Sequence, residues 1–202
     1  MKHVIFDADG VICIGGSFVA SLEKDYGIAR AQLAEFFAGP FRDCIVGRKD
    51  LKACLIEILP KLKWGGSTED FMQFWFEREH VISPEVLACA QRLRKVGHEC
   101  YIGTNQEKYR AAYLWNEMGL MKAFDGLLAS CDLGSAKPNE EYFARVRERL
   151  GCTTNSLILV DDTARNVAAA QGCGWRAIHY HGIADLRKVE QLVAEPAEFR
   201  SS

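Results

Sequence analysis

No stretch of this chain approaches the roughly 20 consecutive apolar residues that a membrane-spanning helix requires. No block of like charge occurs either: 25 lysines and arginines stand against 27 aspartates and glutamates, for a net charge of −2. Neither nucleic acid nor an anionic membrane is therefore expected as a partner. No two of the eight cysteines, at 13, 44, 54, 89, 100, 131, 152 and 173, are closer than ten residues, which excludes a CxxC metal or redox pair. Most lie in apolar runs where a free cysteine behaves as a small hydrophobe, and a reducing cytoplasm is the simplest compartment for them. Internal repeats and low-complexity tracts are absent as well. The first residues, MKHVIFDADG, run directly into a strand pattern, so no leader peptide is expected.

What the 202 residues do contain is 49% hydrophobic and 26% charged, the balance of a folded globular chain of one or two domains. Short Val- and Ile-rich runs alternate with longer segments of helical period, the pattern of parallel βαβ units. Strands are expected at 3–8, 98–103, 126–130, 156–161 and 175–180. Helices are expected at 84–96, 106–118, 140–150, 164–171 and 184–193. The first of these carries Ser83 as cap, Pro84 at the first helical position and Gly97 as stop, with Leu87, Ala90, Leu93 and Val96 as its apolar stripe. From about 17 to 80 only helical periods occur, so a helical subdomain of about 60 residues is expected between strand 1 and its partner. The fold class expected is α/β, a five-stranded parallel core with a helical insertion.

Four βα junctions carry polar residues that could do chemistry, and each also has a plain structural reading. Asp7 and Asp9, followed by Gly10, stand at the end of strand 1, where ligands bind in open parallel sheets; an isolated DxDG also serves as a solvated turn. Asp161-Asp162 follow the run LILV; a divalent cation would relieve their repulsion, and an ordinary helix N-cap is the other account. Gly103-Thr104-Asn105 offer a hydroxyl, an amide and backbone N–H groups to a phosphoryl oxygen, or merely cap the next helix. Lys137, before Pro138, reads by itself as a solvated side chain. Together the four junctions deliver what phosphoryl transfer asks for: a nucleophilic carboxylate, an acid, a hydroxyl clamp, a lysine and a magnesium site.

The order and spacing of these motifs, DxDG at 7–10, Thr-Asn at 104, Lys-Pro at 137 and DD-Thr-x-x-Asn at 161–166, resemble the haloacid dehalogenase-like (HAD) hydrolase superfamily across nearly the whole chain. The runs ISPEVLACAQRLRKVGHECYIGTNQ, ASCDLGSAKPNEEYF and LILVDDTARNVAAAQGCGWRAIHY look like the members with a helical cap after strand 1, the C1-cap subfamily I. The resemblance implies a Rossmann-like, doubly wound core over 1–14 and 82–202, with strand order 5-4-1-2-3, and a helical cap over 15–81. It implies Asp7 as the nucleophile that forms an aspartyl-phosphate, Asp9 as the acid and later base, and Thr104, Asn105 and Lys137 as phosphoryl-binding groups. Lys137 would also hold Asp7 charged. Mg²⁺ is implied at Asp7, the carbonyl of Asp9 and Asp162, with Asp161 bound directly or one step removed. Ala8 departs from the Leu or Met of relatives, and Gly103-Thr104-Asn105 from their Leu-Ser-Asn, which bears on substrate fit.

The function expected is thus a Mg²⁺-dependent phosphatase acting on a small phosphate monoester such as a sugar phosphate. A phosphomutase of the β-phosphoglucomutase type shares all four motifs, and a phospho-acceptor or catalytically silent binding module is the alternative from another class. A dehalogenase fits less well, because expelling halide needs no proton and Asp9 would have no task. Arg42 and Arg48 in the insertion are possible substrate contacts or solvated residues. Trp64, Trp75, Phe71, Phe74 and Phe76 are expected to form the insertion's core, and His179 and His181 to be structural. The oligomeric state is left open by the sequence.

Overall fold

The computed structural model describes residues 1–195. In chain order the elements are β1 (His3–Phe6), then α1 (Phe18–Tyr26), α2 (Arg30–Ala38), α3 (Pro40–Ile45), α4 (Leu51–Ile58) and α5 (Thr68–Arg78). They continue with α6 (Pro84–Lys95), β2 (Glu99–Thr104), α7 (Lys108–Ala112), β3 (Gly126–Ala129), α8 (Ser130–Leu133) and α9 (Glu140–Leu150). The chain closes with β4 (Leu157–Asp161), α10 (Ala164–Gly172), β5 (Arg176–His179) and α11 (Leu186–Ala194). No helix among the described residues is long and apolar enough to cross a membrane.

The five strands form one parallel sheet in the order β3-β2-β1-β4-β5. Both faces are covered, as a parallel sheet requires, and the pleat sorts the side chains between them. Val4, Phe6, Ile158 and Val160 pack with α6 and α11 on one side, while Ile5, Leu157 and Leu159 pack with Tyr142, Phe143 and Val146 of α9 on the other. After β1 the chain builds outward to β2 and β3, then returns to the far side of β1 to lay down β4. The carboxyl ends of β1 and β4 therefore flank the point where the winding reverses, where α/β sheets bind ligands.

Helix α6 follows the capping logic of its sequence: Ser83 Oγ accepts from Val86 N–H, and Pro84 occupies the first turn. Its buried face is Val86, Cys89, Ala90 and Leu93, one position rotated from the expected stripe, and Val96 lies exposed beyond the last turn. The segment expected as one helix at 106–118 is instead α7 followed by a π-helical turn over Tyr113–Glu117. The last helix is preceded by a 3₁₀ turn at Ile183–Asp185.

Helices α1 to α5 pack around a cluster of their own. Phe18, Leu33, Leu55, Phe71 and Trp75 are among its buried members, and the Phe18 and Trp75 rings stack with centroids 4.5 Å apart. Two adjacent chain crossings join this helical insert to the sheet: Ile14 N–H donates to Val81 O at 2.8 Å, Ser83 N–H donates to Ile12 O at 2.8 Å, and Cys13 bridges Ile82 in antiparallel fashion. A second attachment is polar: Asp50 caps α4 through Oδ1, while its Oδ2 accepts from Tyr109 Oη at 2.9 Å and pairs with Lys108 of α7. All eight cysteines are free, and folding brings Cys44 and Cys54 to 3.6 Å between sulfurs.

Candidate active site

The first strand hands over directly to the site. Asp7 N–H donates to Val160 O at 2.8 Å, so the backbone stays alongside β4 for one residue past the strand. The Asp7 side chain emerges at the carboxyl edge, where Oδ1 accepts from Ala8 N–H at 2.7 Å. A tight turn follows, in which Ile12 and Cys13 N–H both donate to Ala8 O at 2.9 and 2.7 Å. Gly10 in that turn has φ +82°, and a Cβ there would run into the Asp162 carboxylate. Glycine at 10 thus serves both the left-handed backbone and the approach of the β1 and β4 loops.

Lys137 lies beneath these loops with its side chain 0% exposed. Its Nζ donates to Gly103 O at 2.7 Å and to Asp161 Oδ2 at 2.6 Å, and stands 3.1 Å from Asp7 Oδ1. Burial alone would lower its pKa, but the carboxylates of Asp7 and Asp161 outweigh burial and hold the ammonium above its ordinary value. Asn105 fixes the loop that carries it: Asn105 Nδ2 donates to Lys137 O at 2.8 Å, and Lys137 N–H donates to Asn105 Oδ1 at 2.8 Å. Thr104, 1% exposed, ends β2 at the same edge of the sheet; Phe6 pairs with Ile102, which sets Thr104 two positions farther toward the loops.

The tandem aspartates divide their work. Asp161 is fully buried and accepts from Thr163 N–H at 2.9 Å, from Asn166 Nδ2 at 3.0 and 3.2 Å, and from Lys137. Asp162 is exposed, with one long bond from Thr163 Oγ1 at 3.2 Å, and its main-chain carbonyl accepts from His179 Nε2 at 2.9 Å. A carboxylate oxygen from each of Asp7, Asp161 and Asp162 lies within 4.8 Å of the other two. Burial pushes Asp7 up to about 7, against the pull of Lys137 and with a further push from Asp161. Crowded oxygens of this kind suit a hard divalent cation.

Asp9 is set apart from that cluster. Its side chain is 53% exposed; Gln106 Nε2 donates to Oδ2 at 2.5 Å, and Arg110 Nη2 lies 3.7 Å from Oδ1. Arg110 in turn stands 3.6 Å from Glu79 Oε2, at the end of the insert. Burial pushes Glu79 up to about 7, with Asp9 adding to the rise and Arg110 opposing it. Sequence reasoning did not single out Gln106, Arg110 or Glu79. Gln106 had a usable signal in following Thr104-Asn105, whereas Arg110 and Glu79 meet only through tertiary folding. Arg48 is surface-exposed beside Asp43 at 3.8 Å, and Arg42 is exposed.

The chain belongs to the haloacid dehalogenase-like hydrolases: the profile of that family matches residues 1–174. Among curated relatives, bifunctional epoxide hydrolase 2 of Mus musculus is 27% identical over 95% of this chain, which spans only 39% of the mouse protein's length. Phosphoglycolate phosphatase of Neisseria gonorrhoeae is 25% identical over 86% of this chain and 77% of that protein. Among solved structures, a HAD-like family hydrolase of Porphyromonas gingivalis superposes with a TM-score of 0.81 at 21% identity, covering 97% and 99% of the two chains. A HAD family enzyme of Bacteroides thetaiotaomicron, solved with magnesium and inorganic phosphate, superposes with a TM-score of 0.75 at 20% identity, covering 88% and 93%. These likenesses agree with the parallel five-stranded sheet described above.

Proposed function

We propose that this hydrolase is a phosphatase that cleaves a small phosphate monoester through an aspartyl-phosphate on Asp7, with Mg²⁺ as its metal. The observation that carries the reading is the pair of carboxylates on one loop with different surroundings: Asp7 buried against Lys137, and Asp9 half exposed under Gln106. In the first step Asp7 Oδ attacks phosphorus, the bond from phosphorus to the ester oxygen breaks, and Asp9 gives its proton to that oxygen. In the second, Asp9 takes a proton from water as the water oxygen attacks phosphorus and Asp7 is released. Thr104, at the edge of the phosphoryl site, and Lys137 face the developing negative charge.

The donor set fits Mg²⁺, being all oxygen. Asp7, the carbonyl of Asp9 and Asp162 would hold the ion. Asp161, already engaged by Lys137, Thr163 and Asn166, would sit one step removed and anchor the lysine. The ion would neutralise phosphoryl oxygens and favour the ionised form of Asp7. The magnesium and phosphate bound by the Bacteroides enzyme, and the name of the Neisseria relative, support this assignment. The helical insert over 15–81 would act as the cap that excludes water from the transferred group. A proton donor at position 9 favours an alkoxide leaving group over halide.

The test is phosphate release from a panel of phosphorylated metabolites, with Mg²⁺ and with EDTA, for the wild type and Asp7→Asn. Release that needs Mg²⁺ and disappears in the variant is expected. Release by Asp7→Asn at the wild-type rate would overturn the assignment, and isomerised product without free phosphate would make the protein a mutase.

A further inference from the structure

We infer that Arg110 is a positioning residue for Asp9, acting with Gln106 to set the carboxyl group from both of its oxygens; this rests on reading Asp9 as the proton donor. Arg110 is 2% exposed, on a helix of the sheet domain, and meets groups from the insert as well as from its own side. Its Nη1 donates to Phe76 O at 3.2 Å, and its guanidinium lies over the rings of Phe76 and Tyr113 at 5.5 and 5.6 Å. Nε and Nη2 have no hydrogen-bond partner among the described residues, although both are buried. A buried guanidinium with unsatisfied N–H groups costs stability unless carboxylates stand close by. Two do: Asp9 Oδ1 and Glu79 Oε2 lie 3.7 and 3.6 Å from Nη2.

The geometry gives the arginine one route to the chemistry. Its burial keeps it from touching substrate, so its influence passes through the carboxyl group beside it. Gln106 Nε2 already holds Oδ2 at 2.5 Å, and a shift of a few tenths of an ångström brings Oδ1 within a bond of Arg110 Nη2. Asp9 is then gripped at both oxygens. Because the same guanidinium is fastened to Phe76 O and faces Glu79, at the end of α5, the placement of Asp9 is referenced to the insert as well as to the sheet. A misplacement of about 1 Å in such a group costs about a hundredfold in rate.

A positioning role predicts selective damage to the first step: Asp9 serves water attack for every ester, but in aspartyl-phosphate formation, which kcat/KM reports, only a leaving group that needs a proton depends on where Asp9 sits. Two esters separate the cases: p-nitrophenyl phosphate, whose leaving phenolate departs unprotonated, and benzyl phosphate, whose alkoxide requires the proton. With Arg110→Lys, kcat/KM on benzyl phosphate is expected to fall at least about tenfold, a part of the 10²–10⁴ that general acid catalysis supplies. On p-nitrophenyl phosphate the fall in kcat/KM should stay under about threefold. Gln106→Leu removes the other donor without leaving a buried charge, and should give the same selective loss if Arg110→Lys does not fold. Equal losses of kcat/KM on the two esters, or no loss on either, in both variants would overturn the positioning role while leaving the phosphatase assignment intact. A wild type that releases phosphate from neither ester would overturn the assignment and this role together.

Discussion

The ammonium of Lys137 lies 2.6 Å from Asp161 and 3.1 Å from Asp7, so one buried cation serves two buried carboxylates. One ammonium only partly offsets two buried carboxylates, and its removal leaves both without compensation.

Lys137→Met therefore leaves two carboxylates adjacent and uncompensated. A loss of about 3–5 kcal/mol is expected, the usual cost of removing one partner of a buried pair. Urea denaturation in EDTA at pH 7 measures it. Lys137→Arg should not restore stability, because a fork of five N–H groups does not fit where a single Nζ meets three oxygens.

Asp7 makes the opposite contribution. Its carboxyl is raised to about 7 in the fold, so between the ordinary carboxylate range and that value the folded state binds more protons than the unfolded one. Stability from this group accordingly falls as pH rises through that window. In EDTA, Asp7→Asn is expected to be more stable than wild type at pH 8, where the buried Asp7 must carry its charge. The advantage should shrink as pH falls toward 4. Denaturation curves of the two proteins at pH 5 and pH 8 give the comparison.

Gly10→Ala tests the close approach of the two acidic loops. A Cβ at this position meets the Asp162 carboxylate, and the φ of +82° is unfavourable for alanine. The displaced carboxylate should weaken Mg²⁺ binding at least about tenfold, equivalent to about 1.4 kcal/mol. Isothermal titration with Mg²⁺ reads this directly, and a wild-type affinity would show that the loops can separate without consequence.

Binding of Mg²⁺ to the folded protein alone should raise its melting temperature. At a concentration 100 times the dissociation constant the stabilisation is about 2.7 kcal/mol. Asp162→Asn should abolish most of that gain while leaving the melting temperature in EDTA close to that of wild type, since Asp162 is exposed and makes only one long side-chain bond.

Strand positions were legible because the sheet is buried on both faces and its runs, VIF and LILV, are continuously apolar, whereas strand order came only from the resemblance of the motifs to the family. The grouping of the candidate residues was legible where it is local: Asp7 and Asp9 share a turn, and Asp161 and Asp162 are neighbours. Asn105 could be read as polar and close to the site, but not as the amide that clamps the Lys137 backbone, since that bond joins segments 32 residues apart. The network of Asp9, Arg110 and Glu79 was invisible for the same reason, three elements meeting at one point with no shared motif. The π turn after α7 likewise escaped, because apolar periodicity marks a helical face and not a change of hydrogen-bond step. The π turn places Tyr113 over both Phe76 and His80 of the insert.

The paired crossings at Cys13 and Ile82 leave the chain only one antiparallel rung apart where the helical insert departs and returns. Such a gap is what a hairpin turn of two to four residues spans. The strand order is thus indifferent to the length of what is spliced between these two residues, and an insertion of any size can leave and rejoin here without rethreading the sheet.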